Sequence, residues 1–378
     1  MKEIAAPKTA ISGPAPIRVL VVDDSHVIRG LLSRSLGSDP GIKVVATASN
    51  GKMAIDEVGR SEIDVVVLDI EMPVMDGMTA LPQLLAARPG MQVIMASTLT
   101  LKGASISLKA LSKGAADYVP KPTSTGEINS AEDFKRELIS KVKSWGAVAR
   151  RRRTAAARPG TEAAASAIRR APVSPIKLRE TPSLFRPDCI AIGSSTGGPQ
   201  ALFKVFQMMG AVTSLPVFVT QHMPATFTTI LAEHVGQASG MPTAEAKDGE
   251  PVVPGRIYVA PGDFHMTVRI EAGRKMVRLD KNPPENFCRP AVDPMLRSLA
   301  KAYGGKVLTL ILTGMGQDGL RGGQEISAAG GVIAAQDEAT SVVWGMPGAV
   351  ANAGLCSAVL PLSDIGPYAR KAISRMAA

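Results

Sequence analysis

Apolar residues fall along this chain in short continuous runs, separated by longer stretches in which they recur every three or four positions. Over the first third the runs are IRVLVVD, KVVATA, DVVVLD, QVIMAS and ADYVP. Unbroken runs of that length predict strands buried on both faces, and the spacing between them predicts covering helices. Five such alternations, from Ile17 to about Trp145, predict a parallel sheet. Beyond residue 186, DCIAI, LPVFVT, KVLTLIL and GVIAA repeat the pattern, and shorter strands around Arg256 to Leu279 predict a hairpin-like region. The expected fold class is α/β, with two doubly wound parallel-sheet domains, the second carrying a β-hairpin insertion.

The 378 residues suffice for two such domains. Charge then separates them. Of the formal net charge of +10, a net +8 lies between Gly146 and Arg186, in an Ala-, Arg- and Pro-rich segment that reads as a solvated linker. The expected organisation is a flexible N-terminus over 1–16, a first domain over 17–145, a linker over 146–186 and a second domain over 187–378. Outside the linker the chain is near neutral, and it has neither a P-loop lysine nor a helix-turn-helix signature, so nucleic acid is not an expected partner. No run of 18 apolar residues and no secretory pattern are present, so the expectation is a cytoplasmic protein that is not membrane-inserted. Cys189, Cys288 and Cys356 are odd in number and far apart, which reads as reduced thiols.

In open parallel sheets, functional residues gather beyond the carboxyl ends of the strands. In the first domain Asp23 and Asp24 end the first run, Asp69 ends the third, Ser97 closes the fourth and Lys121 follows the fifth. Three carboxylates brought together repel unless a cation neutralises them, and a hard divalent ion such as Mg²⁺ suits an all-oxygen set. A carboxylate so placed can attack a phosphoryl donor, with Lys121 pairing with the new phosphoryl oxygens and Ser97 donating to one of them.

The second domain opens with IAIGSSTGGPQALFKVF, a strand breaking into small residues before a helix. Such a turn serves either a phosphate cradle or a nucleophile. Gly193, Ser195 and Gly197 fit the G-x-S-x-G pattern and no P-loop ending follows, which leans towards catalysis. A nucleophilic Ser195 needs a base. Of His26, His222, His234 and His265, only His222, in PVFVTQHMP, directly follows an apolar strand at the same sheet edge. His26 and His234 sit in helical patterns, and His265 falls in the hairpin region. LTLILTGMGQDG supplies Asp318 after a further strand. The chain order Ser, His, Asp departs from the Ser, acid, His order of α/β-hydrolases.

Two resemblances organise these residues. VVDDS, LDIEMPVMDG, MAST and YVPKP resemble a flavodoxin-like response-regulator receiver domain over residues 17 to 145. That resemblance implies phosphorylation of Asp69 by a histidine kinase, Mg²⁺ held by Asp23, Asp24, Asp69 and the backbone of Glu71, and a switch through Ser97, Tyr118 and Lys121. From about Asp188 onward, GSSTGGP, QHMPATFT, RPAVDP, LTGMGQDG and QDEATSVVWGMPGA resemble the catalytic domain of chemotaxis protein-glutamate methylesterases, which are also protein-glutamine glutaminases. This second resemblance implies Ser195 as nucleophile, His222 as base, Asp318 as acid, and Thr196 with the Met315 backbone around the oxyanion. It also implies methyl-accepting chemotaxis receptors as substrate, no cofactor for the ester reaction, and adaptation as the role. Ala291 and His234 depart from the serine and arginine expected at those places.

Overall fold

The five early apolar runs become strands β1 (Ile17–Val22), β2 (Ile42–Ala48), β3 (Val65–Asp69), β4 (Gln92–Ser97) and β5 (Asp117–Pro120). They form one sheet in the order β2-β1-β3-β4-β5, and β1 pairs in parallel with both β2 and β3. Every residue of β3 and β4 is buried, as expected where helices cover both faces. The helices start where short polar side chains cap them: Ser25 accepts from Ile28 N, Asn50 from Met53 N and Asp76 from Thr79 N. The computed structural model describes residues 15–98, 100–121, 128–156, 176–182, 185–211 and 215–374. The chain divides into two compact units.

The second unit contains β6 (Cys189–Ser194), β7 (Val217–Gln221), β8 (Thr243–Glu245), β9 (Ile257–Val259), β10 (His265–Glu271), β11 (Arg274–Asp280), β12 (Val307–Ile311), β13 (Val332–Gln336) and β14 (Ala358–Leu360). Seven of these form a parallel sheet in the order β14-β13-β12-β6-β7-β9-β8. The predicted hairpin is narrower than its sequence suggested. Ile257–Val259 joins the main sheet beside β7, and only β10 and β11 form the antiparallel pair. The core beneath is a cluster of large side chains, with Phe218 and Tyr258 stacked at 5.4 Å between ring centroids.

Strand order matters for function because, although the strands run parallel, the direction in which successive strands are added reverses within each sheet. In the first unit the reversal lies between β1 and β3, where Asp23, Asp24 and Asp69 emerge. In the second it lies between β6 and β12, where Ser195 and Asp318 emerge, with His222 one strand over after β7. Crevices of this kind are where open α/β sheets bind ligands.

The expected linker is corrected at both ends. A helix spans Ile128–Ala156 and carries the first eleven residues assigned to the linker, 146–156. Its buried stripe of Phe134, Leu138, Val142, Trp145, Val148 and Ala149 keeps helical spacing past residue 145. Asp64 holds the arginine run in place, lying 2.8 Å from Arg153 and 3.9 Å from Arg150. At the other end, Ile176 packs on the core of the second unit and Arg179 N donates to Cys356 O at 2.8 Å. Residues 157–175 of the linker and 1–14 of the expected N-terminal tail lie outside the described residues.

Candidate functional site

In the first unit, one carboxylate oxygen from each of Asp23, Asp24 and Asp69 lies within 4.8 Å of the others. Asp23 and Asp69 are buried and Asp24 is exposed, so the cluster opens to solvent on one side. Lys121 Nζ bridges Asp23 Oδ2 and Asp69 Oδ1, both at 2.7 Å. Burial pushes the Asp69 carboxyl above its ordinary value, although Lys121 opposes this. Burial would equally depress the Lys121 ammonium, but the two carboxylates outweigh it and hold it above its ordinary value. The donor set is all oxygen and anionic, which fits a hard divalent cation such as Mg²⁺. Ser97 is buried and its hydroxyl pairs with Ser107 Oγ at 2.9 Å. Tyr118 is also buried, with Lys141 Nζ 4.5 Å above its ring. Glu71 is exposed two residues past Asp69.

In the second unit the β6 end turns into the helix Gly198–Met209 through Gly197, whose φ of 76° favours glycine. The turn is tight against β7: a Cβ on Gly198 would stand 1.9 Å from Gln221 Oε1. Gln221 fastens the two strand ends, accepting from Ser194 Oγ at 2.7 Å and donating to Ser195 O at 2.9 Å. His222 N donates to Ser194 O at 3.2 Å, placing the histidine beside the serine turn. Its ring reaches across to Asp318, with Nε2 2.7 Å from Oδ2. The histidine–carboxylate pair is therefore formed. The half-buried Ser195 hydroxyl makes no hydrogen bond among the described residues, as is common before substrate tightens such sites.

Asp318 is 1 % exposed and unusually well supplied with donors. Oδ2 accepts from Val292 N at 2.6 Å as well as from His222, and Oδ1 accepts from Asn286 Nδ2, Asp293 N and Gly319 N, each at 3.0 Å. Burial alone would raise its pKa, but His222 and the backbone donors overcome it and keep the carboxyl below its usual range. Asp318 is thus ionised, and Nε2 of His222 carries the hydrogen between them. Burial opposes charge on His222 too, yet the adjacent Cys288 sulfur and Asp318 raise it to about 10.

The remaining sequence-derived residues fall into place around this pair. Thr196 is buried in the turn, its carbonyl accepting from Thr313 Oγ1 at 3.0 Å. Met315 lies on the loop between β12 and Asp318 and is half exposed. His26 begins a helix of the first unit, and His234 packs against Phe203 at 5.7 Å between centroids. His265 is buried and satisfied, accepting from Ala291 N at 3.2 Å.

Comparison with known proteins gives the geometry its context. Residues 190–368 match a family model described as CheB methylesterase, and residues 19–132 match the response regulator receiver domain. A protein-glutamate methylesterase/protein-glutamine glutaminase of Azospirillum brasilense is 61% identical over 98% of this chain and 96% of its own. The chain belongs to the protein-glutamate methylesterase/protein-glutamine glutaminase family. A group 2 operon member from Rhodospirillum centenum is 59% identical over 98% of each chain. The crystal structure of the Thermotoga maritima CheB methylesterase catalytic domain is 40% identical, with a TM-score of 0.46, and covers 50% of this chain and 98% of its own.

Sequence reasoning missed four contributors to this esterase-domain site: Gln221, Asn286, Cys288 and Asp293. Asp293 is buried, accepts from Gly322 N at 2.7 Å and Gly319 N at 3.0 Å, and shares Asn286 with Asp318. Burial and the nearby Asp318 charge raise its pKa, the opposite of Asp318 itself. The RPAVDP motif carried Asp293, but a buried structural carboxylate has no spacing signature of its own.

Proposed function

We propose that this methylesterase family member works through a Ser195–His222–Asp318 triad and is activated by phosphorylation of Asp69. The observation that carries the first half is the His222–Asp318 hydrogen bond of 2.7 Å beside the Ser195 turn. With Nε2 committed to Asp318, Nδ1 is the nitrogen left to receive the Ser195 proton. Ser195 Oγ attacks the side-chain carbonyl carbon of a glutamate methyl ester, and His222 takes its proton and then returns it to the departing methanol. A water deprotonated by His222 next attacks the acyl-serine, freeing the glutamate and regenerating Ser195. For glutamine the same steps release ammonia. Thr196 and the Met315 backbone are assigned to the oxyanion, where donors to developing charge contribute most. No cofactor is assigned to this reaction.

In the receiver, Asp23, Asp24 and Asp69, with the Glu71 backbone, would hold Mg²⁺, which supplies charge neutralisation for phosphoryl transfer. Asp69 is the acceptor, Lys121 pairs with the phosphoryl group, and Ser97 and Tyr118 carry the change onward. The phosphodonor is a histidine kinase and the substrates are methyl-accepting chemotaxis receptors, so the reaction resets receptor sensitivity in a two-component pathway. Among the described residues no helix is long and apolar enough to cross a membrane, which suits action from the cytoplasm on receptors embedded there.

The test is methanol release from methylated receptor membranes, with and without a small-molecule phosphodonor and Mg²⁺. The phosphodonor is expected to accelerate the full-length protein, Asp69→Asn to abolish that response, and Ser195→Ala to remove turnover with circular dichroism unchanged. Wild-type turnover in a folded Ser195→Ala protein would overturn the triad, and an undiminished phosphodonor response in Asp69→Asn would overturn the activation.

A further inference from the structure

The two nitrogens of His222 are not equally available. Nε2 faces Asp318, and Nδ1, the nitrogen that must receive the serine proton, faces Cys288 Sγ at 3.3 Å. Cys288 is half-buried, unlike Cys189 and Cys356, which are fully buried away from this site. It closes a two-residue turn, with Glu285 N donating to Cys288 O at 3.1 Å and Cys288 N donating to Glu285 O at 2.9 Å.

That turn is held in an unusual shape. Asn286 and Phe287 have φ values of 52° and 64°, a left-handed conformation that residues with a side chain adopt at a cost and that commonly marks functional positions. Glu285 is anchored from the helix Val292–Tyr303 by two hydrogen bonds from Arg297. Asn286 donates to Asp318 Oδ1 and to Asp293 Oδ2, both at 3.0 Å. One short turn therefore touches both members of the catalytic pair, Asp318 through Asn286 and His222 through Cys288.

We propose that Cys288 is a positioning residue of the esterase, its sulfur engaging His222 Nδ1 so that the ring stays aligned with Asp318. The inference rests on the serine-triad reading. Other charged groups nearby are already engaged: Glu285 by Arg297, Arg289 by Asp263 at 3.1 Å, and Asp293 by Asn286 and backbone N–H groups. The sign follows from charge. A base must be neutral to act, and the Cys288 sulfur together with Asp318 holds the His222 ring above its ordinary value despite burial, which delays availability to higher pH. Removing the sulfur moves the acid limb of the pH–rate profile to lower pH. Removing the hydrogen bond as well lets the ring wander and lowers the plateau.

The experiment compares wild type, Cys288→Ala and Cys288→Ser in the full-length protein, measuring methanol release against pH with circular dichroism as the fold control. Cys288→Ala is expected to lower plateau kcat about three- to tenfold, the worth of one hydrogen bond, with KM unchanged. Its acid limb should lie at lower pH than wild type. Cys288→Ser keeps a hydroxyl on the ring but not the sulfur, so its plateau should recover while its limb stays shifted. Profiles of both variants superimposing on wild type would overturn the proposal. So would equal plateau losses in both with the limb unmoved, which is the mark of packing alone. Ser195→Ala run alongside separates the two levels: activity there removes the triad itself, whereas an inactive Ser195→Ala with unshifted Cys288 variants removes only the role of Cys288.

Discussion

Replacing Asp318 by asparagine tests the hydrogen-bond logic of the site most sharply, because the outcome turns on which way the amide points. On the Oδ1 side three donors converge, from Asn286, Asp293 and Gly319. On the Oδ2 side there are two, Val292 N–H and His222. An amide NH₂ on the first side would face three donors. On the second it faces only Val292 N–H once His222 changes tautomer to accept from it. The amide therefore settles with NH₂ towards His222, which moves the ring hydrogen to Nδ1, where no proton from Ser195 can then be taken. The fold cost is one buried donor left unsatisfied, about 1–3 kcal/mol. The rate cost is far larger, on the order of 10⁴ in kcat where a triad histidine is held in the wrong tautomer, or roughly 5–6 kcal/mol of barrier. Methanol release with chemical denaturation on the same samples measures both. A folded Asp318→Asn protein keeping more than about a tenth of wild-type kcat would refute the tautomer reasoning.

The thiols should label in a defined order. Cys288 is half-buried and should react with a thiol reagent in the native protein, whereas Cys189 and Cys356, buried and with pKa values raised by that burial, should react only after denaturation; peptide mass mapping reads the order, and native labelling of Cys189 would contradict it. Asp64→Ala should destabilise the first unit by about 2–4 kcal/mol in urea melts, since it strips a buried acceptor from Arg18 and Arg153. A loss below about 0.5 kcal/mol would show those contacts to be surface pairs of little worth.

How much of this was readable beforehand depended on whether a feature leaves a periodic trace. The buried strands did, since β3, β6 and β12 are unbroken apolar runs, and the reactive side chains lie at or beyond where such runs stop. Ser195 and His222 directly follow the strand ends at Ser194 and Gln221, whereas Asp318 stands well past Ile311 and is singled out by its glycine-rich loop. Asn286 and Cys288 could not be found in this way, because they sit on a turn spelled Glu-Asn-Phe-Cys, with no glycine to announce its left-handed backbone. Asp293 was hidden for a different reason: its role is to satisfy the N–H groups of Gly319 and Gly322, which only a three-dimensional register brings near. The run Arg150–Arg153 reads as a solvated spacer by its charge alone, yet it lies on the helix Ile128–Ala156. Val148 and Ala149 continue the apolar stripe, and a single buried Asp64 gives the arginines a place in the fold.

The placement of Cys288 against the base makes the identity of the nucleophile the central question, since the site contains a serine and a thiol beside one histidine. The direct measurement is to quench the enzyme in acid during turnover of a methyl-esterified receptor peptide and to locate the acyl group by peptide mass mapping. The account predicts the added mass on the peptide containing Ser195, and no methanol release when Ser195 is replaced by alanine. An added mass on the peptide containing Cys288, with methanol still released by the Ser195→Ala protein, would contradict it.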